Sequence, residues 1–439
     1  MGNRSKTTFD DAKSVLKALL DHGFPSMFAG GCVRDRLLGV SPKDYDIAST
    51  AHPEQARIIF STLGFRVIPT GIEHGTVTVV TTSGPVEITT LRKDVKTDGR
   101  HAEVHFEGAT FEDDAARRDF TINAMFEDLN GPIKDYHGGE SDLKGKRLRF
   151  VGDPVQRIRE DYLRILRFFR FWARLGFIAD EKALDAIKSE CQGLTRISQE
   201  RITNELWEIC SARYSTDALI AMENTGVTKV VFPEAVSIDH KTKIILLDAS
   251  NTNEGIRPWV ILIVLLGIIH NRKLSQEEVH KFARKLRLSE KDAHTLMAIF
   301  QGWQLLPAID REIATALDFA ETLEQHDANR ELLNFYGPIW HFLARHERNL
   351  AVQEMLGWVI ATDQTYQERR KIALPVNGRD IMEIHPTLQG RSIGNVMTDV
   401  RKAFRNGQWQ TRHDGLEYLR GIKPEHGLDS QIAKDIAKT

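Results

Sequence analysis

The chain has 439 residues, too many for one ordinary hydrophobic core, so two to four domains are expected. A hydrophobic fraction of 41% with 27% charged residues, and no low-complexity tract, fits a soluble globular protein. The net charge of −2 excludes a globally basic nucleic-acid binder, so any RNA surface must come from local clusters of Lys and Arg.

The N-terminus carries acidic residues and no apolar core, which fits neither a signal peptide nor a transit peptide. Its first 25 residues read as an amphipathic helix through Ala12, Val15, Leu16, Leu19 and Leu20, ending at Gly23. Short β-type runs follow: SMFAGG, DYDIAS, FRVIPT, GTVTVVTT and PVEITTLR, with helical stretches in VRDRLLG and HPEQARIIFSTLG. Strands mixed with helices over about 130 residues predict an α/β or α+β head domain. From about Asp153 onward the periodicity is helical, broken at Gly193, Gly226, Gly255, Pro307, Pro338 and Pro375. The apolar run Pro258 to Ile269 is far short of the roughly 20 residues that span a bilayer, and reads as a buried helix, so no membrane is expected. Cys32, Cys191 and Cys210 are odd in number and form no CxxC pair, which argues against zinc or a disulfide framework and for a reducing, cytoplasmic compartment.

The segment FAGGCVRDRLLGVSPKDYDIAST is the most informative. Asp44 and Asp46 are two residues apart on a predicted strand, so both side chains share a face. Two carboxylates forced together repel unless a cation lies between them, and Mg²⁺ held by such a pair plus substrate phosphates supports in-line phosphoryl or nucleotidyl transfer. Upstream, Gly30 and Gly31 let bare backbone approach a triphosphate, and Arg34 stands one turn into the following helix. Glu87, in the alternating strand PVEITTLR, is the candidate third acid of a two-metal site. The plainer alternatives are a tight strand-to-helix turn for the glycines, a surface cation for Arg34 and a solvated strand position for Glu87.

Next, DDAARRDFTINAMF gathers Arg117, Arg118, Asp119 and Asn123 before an apolar run read as a helix. Arg118 suits a phosphate or ribose clamp; Asp119 suits a ribose hydroxyl or, equally, a helix cap. Between Lys144 and Arg174 stand ten Lys/Arg and three Asp/Glu, the local basic cluster that the net charge hides. Within the predicted helix Asp153 to Phe177, Asp161, Arg164, Arg167, Arg170 and Arg174 recur at spacings of three or four and share one stripe. An acceptor beside a fork of donors matches the amino group and ring nitrogen of cytosine and adenine, and rejects uracil and guanine, whose edges run in the reverse order. The alternative is an ordinary i,i+3 salt bridge on an exposed helix.

GGCVRD, DYD, EITTLR, RRDFTINAMF and REDYLRILRFFRFWARLGF, in this order, resemble the class II tRNA nucleotidyltransferases and related bacterial poly(A) polymerases of the polymerase-β-like superfamily. The resemblance covers about residues 25 to 210. It implies an α+β architecture: a nucleotidyltransferase head with a mixed sheet and flanking helices at 1–136, then an all-α neck at 137–210 for base recognition, a body at 211–370 and a tail at 371–439 for tRNA binding. It implies further that Asp44 and Asp46 bind metal, that Gly31 and Arg34 contact the triphosphate, and that Arg118 and Asp119 serve the nucleotide and its sugar. Asp161 and Arg164 would form an amino-acid template, with Arg167 and Arg170 near the nucleotide. Ser198 to Ile202 resembles a later motif that braces the neck, and PVNGRDIMEIHPTLQGRSIGNVM, with Gly378, Asp380, Gly390 and Gly394, resembles a tail segment of many members.

The implied activity is template-independent addition of C, C and A to the 3′ end of tRNA from CTP and ATP, with Mg²⁺ as cofactor and no protein partner. Arg92 to Asp114 resembles the flexible loop of enzymes that add the whole triplet or the terminal A. The alternatives are a poly(A) polymerase, an A-adding enzyme, or a catalytically silent RNA-binding protein. An HD-type phosphohydrolase would rest on His326-Asp327 and His413-Asp414 alone, without the further ligands such a site needs.

Overall fold

The computed structural model describes residues 8–72, 75–97, 102–233, 238, 240–252, 255–265, 275–309, 339, 374–388, 391–405 and 408–422. Helix α1 (Phe9–Asp21) starts at Thr8, whose side chain accepts from the Asp11 N–H, and it buries Ala12, Val15, Leu16 and Leu19. Then come β1 (Ser26–Ala29), α2 (Gly31–Leu37), β2 (Tyr45–Ser49), α3 (Pro53–Thr62), β3 (Arg66–Gly71), β4 (Thr76–Val80) and β5 (Pro85–Thr90). Each element read from the sequence over this stretch is present.

The strands form one mixed sheet with β8 (Met125–Glu127) and β9 (Ile133–Asp135), in the order β3-β4-β5-β2-β1-β8-β9. β2 and β5 pair in parallel; the other pairs are antiparallel. Aromatic contacts seat α1 on the sheet, with the Phe9 ring centroid 5.5 Å from Phe28 and 5.8 Å from Tyr45.

One reading is corrected here. FTINAMF is no helix: a single 3-10 turn, Thr121–Asn123, leads straight into β8. Its apolar residues read as helical, but Phe126 pairs with Ala29 of β1 and the run is consumed by the sheet. Within the Arg92 to Asp114 segment, β6 (Lys93–Thr97) and β7 (Ala102–His105) form an antiparallel pair, followed by α4 (Phe111–Ala116); residues 98–101 lie outside the described ones.

After α5 (Gly139–Lys144) and β10 (Arg147–Leu148) the chain turns helical. α6 (Pro154–Glu160) is capped by Asp153, which accepts from Gln156 N–H at 2.8 Å. α7 (Arg164–Leu175) follows, and β11 (Ile178–Ala179) pairs with β10. Next come α8 (Glu181–Glu190), a 3-10 segment at Cys191–Arg196, α9 (Gln199–Ser211), α10 (Ser215–Asn224), α11 (Val227–Val231), α12 (His240–Ala249), α13 (Arg257–Leu265), α14 (Gln276–Lys285) and α15 (Glu290–Ile309). α13 is buried along its length, as the apolar run predicts; residues 266–269 of that run lie outside the described ones. No described helix is long and apolar enough to cross a membrane.

The predicted single helix Asp153 to Phe177 is therefore two helices. Asp161 is extended, at φ −154° and ψ 106°, and breaks it. The apolar side of α7 joins the sheet-bearing region through a cluster of rings: Phe120 lies 5.1 Å from both Phe150 and Phe171, and Phe168 lies 5.4 Å from Phe150. Phe120, Phe150 and Phe168 are wholly buried, and each contributes about 2–3 kcal/mol by burial, which fixes α7 against the sheet.

The chain divides into two compact units, residues 1–293 and 294–439. In the second, α16 (Gly378–Ile384), α17 (Arg391–Arg405) and α18 (Arg412–Gly421) close on a core that includes Ile381, Val396, Val400, Phe404, Trp409 and Leu419. Gly378 opens α16 and Gly394 lies in α17, Asp380 pairs with Arg412, and Gly390 is outside the described residues. Asp414 accepts from the Thr411 N–H in a capping box, so the His413-Asp414 pair ends in a helix cap; His326-Asp327 lies outside the described residues.

Candidate active site

Between the sheet and α7 lies a cleft of about 660 Å³, lined among others by Gly30, Gly31, Arg34, Asp46, Glu87, Arg118, Asp119, Asn123, Asp161, Arg164 and Arg167. These come from five separate stretches of sequence. Parallel pairing of β2 with β5 sets Asp46 directly beside Glu87. Asp44 stands just before β2 rather than on it, is exposed, and is not among the lining residues, yet its charge acts on Asp46. Burial, with the charges of Glu87 and Asp44 adding to it and Arg118 opposing, raises the Asp46 carboxyl to about 6.

Those mutually repelling oxygens, open to a cleft, are the donor set of a hard cation such as a divalent metal. Among the described residues no three His, Cys, Asp or Glu converge closely enough to hold an ion by themselves. The arrangement fits a metal completed by substrate phosphates.

The Asp46 shift has a stability consequence in the absence of divalent ions. The unfolded chain releases this proton near 3.8 and the folded chain only near 6, so stability falls as pH rises through that window and stays lower above it. Asp46→Asn is expected to remove this loss and stabilise the metal-free protein at pH 8 by on the order of 2 kcal/mol. Urea unfolding in EDTA checks it; equal stability of the two proteins would contradict the origin given for the shift.

Further along the cleft, Gly30 turns the chain from β1 into α2 at φ 76°, where a side chain is strained and a Cβ would stand 2.5 Å from Arg118 Nη1. Arg118 Nε and Nη2 donate to Asp114 Oδ2 at 3.1 and 2.9 Å, and Nη1 to the Asn123 carbonyl at 3.3 Å. Asp114 is 1% exposed and also holds Arg117. Burial raises its carboxyl, but Arg118 and Arg117 outweigh this and keep it below the usual carboxylate range. The sequence reading missed Asp114, although its spacing of three and four from Arg117 and Arg118 at the end of a short helix signals the pairing. Arg34 is 2% exposed, donates through Nε and Nη2 to Asp35 Oδ1 and through Nη1 to Asn123 Oδ1 at 2.6 Å, and lies over Phe171. It is a held cation, not a surface one.

At the far end Asp161 and Arg164 both line the cleft, but they do not pair with each other. Leu163 N–H and Arg201 Nη2 each donate to Asp161 at 3.0 Å. Arg164 Nε donates to Asp119 at 2.7 Å, and its Nη1 to the Arg157 carbonyl at 2.7 Å and Glu160 at 2.6 Å. Arg167 takes the other Asp119 oxygen at 2.8 Å. Burial raises the Asp119 carboxyl, yet Arg167 and Arg164 hold it below its ordinary range. Asp119 is not the cap of the 3-10 turn after it, Thr121–Asn123: Phe120 stands at that position, without a side-chain cap.

Arg164, Arg167, Arg170 and Arg174 stand on α7 at the expected spacing, but they do not all face the cleft. Arg170 lies outside the cleft lining and pairs with Glu205 at 3.3 Å, while Arg174 lines the cleft and pairs with Asp35 at 3.1 Å. Periodicity within α7 could not show these partners, because each belongs to another element.

Residues 26–149 match the family model of the poly A polymerase head domain, and residues 176–238 that of the probable RNA and SrmB binding site of polymerase A. Over 432 residues the chain is 34% identical to the CCA-adding enzyme of Lactobacillus helveticus, covering 94% of this chain and 97% of that one. It is 33% identical over 417 residues to the mitochondrial CCA tRNA nucleotidyltransferase 1 of Mus musculus, covering 92% and 88%. The crystal structure of the Bacillus stearothermophilus CCA-adding enzyme in complex with CTP superposes with a TM-score of 0.70 at 28% identity, covering 94% of this chain and 96% of that one.

Proposed function

Since the chain belongs to the family of CCA-adding tRNA nucleotidyltransferases, we propose that it extends the 3′ end of tRNA by C, C and A without a nucleic-acid template, using CTP and ATP and releasing pyrophosphate. The observation that carries this reading is the cleft itself: a carboxylate pair, a glycine turn beside arginines, the Asp161 acceptor just before α7 and a guanidinium of α7's first turn share one cavity. Enzymes of this family depend on a divalent metal, which we assign as Mg²⁺.

In this reading the triphosphate runs along Gly30 and Gly31, where Arg34 and Arg118 answer its charge. Asp44 and Asp46 hold the metal against the phosphates, and Glu87 supplies the third carboxylate. When bound, the metal lowers the pKa of the attacking 3′ hydroxyl and neutralises charge on the leaving pyrophosphate. Asn123 steadies Arg34, and Asp119 receives the ribose hydroxyl once Arg164 and Arg167 turn to the nucleotide. Asp161 accepts from the amino group of C or A while Arg164 donates to the ring nitrogen, and Arg167 and Arg170 support them. Uracil and guanine would set donor against donor.

We assign residues 1–136 as head, 137–210 as neck, 211–370 as body and 371–439 as tail. A cytoplasmic location is supported by three free thiols, all buried. The product is tested by incubating tRNA ending at the discriminator base, at C or at CC with CTP, ATP or both, at nucleotide resolution. Two cytidines followed by one adenosine are expected; long A tails would instead establish the poly(A) polymerase activity named by the matching head-domain model.

A further inference from the structure

Asp161 is held in place by residues that stand outside the cleft. Its carboxylate is fixed on both oxygens by Leu163 N–H and Arg201, and its carbonyl accepts from Arg164 N–H at 3.0 Å, starting the first turn of α7. The carbonyl of Tyr162, the next residue, accepts from Ile165 N–H at 3.1 Å, so backbone hydrogen bonds tie this break to the turn that carries Arg164. The Tyr162 ring reaches the 3-10 segment Cys191–Arg196 and rests on Gly193. A Cβ on Gly193 would stand 1.9 Å from Tyr162 Cε1 and 2.0 Å from Cδ1, and the Arg196 guanidinium covers the ring at 5.4 Å. Gly193 has no unusual backbone conformation, so glycine is required there by space alone.

We propose that the seat of Tyr162 on Gly193 is a positioning contact for base selection. It sets how deeply the Asp161 acceptor and the Arg164 turn project into the cleft, and so determines discrimination of C and A against U and G without touching the base. The proposal rests on the reading of Asp161 and Arg164 as the base-selecting pair. A hydrogen-bonding reader works only when its atoms are held within roughly 0.5 Å of the productive geometry. Any side chain at position 193 lifts the ring, and the ring is one peptide bond from Asp161.

The test compares the full-length parent with Gly193→Ala, Tyr162→Ala, the double variant and Asp161→Asn. Each is assayed for kcat/KM with CTP and UTP on tRNA ending at the discriminator base, and with ATP and GTP on tRNA ending in CC. Gly193→Ala is expected to lower the CTP/UTP and ATP/GTP ratios by on the order of tenfold to a hundredfold, the scale of a misplaced positioning group. Tyr162→Ala lowers them too, and the double variant is no worse than Tyr162→Ala, because removing the ring removes the three atoms that stand nearest a methyl group at 193. A merely structural role would slow all four nucleotides alike and leave the ratios at the parent's values.

Parent-like ratios in folded Gly193→Ala and Tyr162→Ala, with relaxed ratios in Asp161→Asn, overturn the positioning contact and leave base selection by Asp161 standing. Parent-like ratios in Asp161→Asn overturn the reading of Asp161, and the proposal with it. Should Gly193→Ala not fold, Tyr162→Ala, which introduces no overlap, decides by the same ratios.

Discussion

Asp46→Ala and Asp44→Ala are each expected to reduce nucleotide incorporation by at least about a thousandfold while tRNA binding stays within a few-fold of the parent's. The reason is the separation of tasks in the cleft. Asp46 lies on β2 beside Glu87, in a floor built by strand pairing, and the arginines that would face nucleotide or RNA are anchored elsewhere, Arg118 on Asp114 and Arg34 on Asp35 and Asn123. On the proposed assignment, removing one carboxylate therefore takes away a metal ligand and leaves the cationic lining in place. Single-turnover incorporation at saturating Mg²⁺ reads the first quantity, and fluorescence anisotropy of labelled tRNA the second. Incorporation within tenfold of the parent in both variants would refute the assignment of these aspartates to the chemistry.

The second large effect is expected at Arg164. Arg164→Ala should lower discrimination of CTP against UTP by about a hundredfold, because the guanidinium proposed to match the ring nitrogen of cytosine is gone. It should also destabilise the protein. Arg164 is 9% exposed and serves Asp119, Glu160 and the Arg157 carbonyl together. Its loss leaves Asp119 to Arg167 and Glu160 to Arg157, so a cost of about 2–4 kcal/mol is expected, at the lower end of breaking a buried pair because each carboxylate keeps one partner. Arg164→Lys, which keeps the charge and loses the planar fork, should recover part of the stability and little of the selectivity. Competition between nucleotides is measured well below the unfolding transition of each variant. Unchanged selectivity in a folded Arg164→Ala protein would show that the base is read by other groups.

The elements that were legible in the sequence share one property: their partners lie within a few residues. The α1 periodicity, the alternation of β4 and β5, the glycine turn at Gly30 and the capped start of α6 at Asp153 are all local patterns. Readings failed where a distant partner outweighed local preference. The run in FTINAMF has helical character until Phe126 finds Ala29 on β1. The stripe from Asp161 to Arg174 is regular in spacing, yet Arg201 and the Gly193 seat of Tyr162 hold the chain extended at its first member.

By itself the sequence determined the chemistry on offer: two aspartates two residues apart, a bare-backbone glycine turn, an arginine-rich amphipathic helix, and the order in which they occur. Those are covalent facts, and their spacing limits what each can do. Only the tertiary structure decided which charges meet. The parallel register puts Glu87, not Asp44, directly beside Asp46; Asp119 joins Arg164 across a separation of 45 residues; and Asp161 is fixed by Arg201 instead of by Arg164. The physical reason is that a buried charge must find a partner or be excluded, and which partner it finds is settled by the packing of whole elements, a property no window of sequence contains.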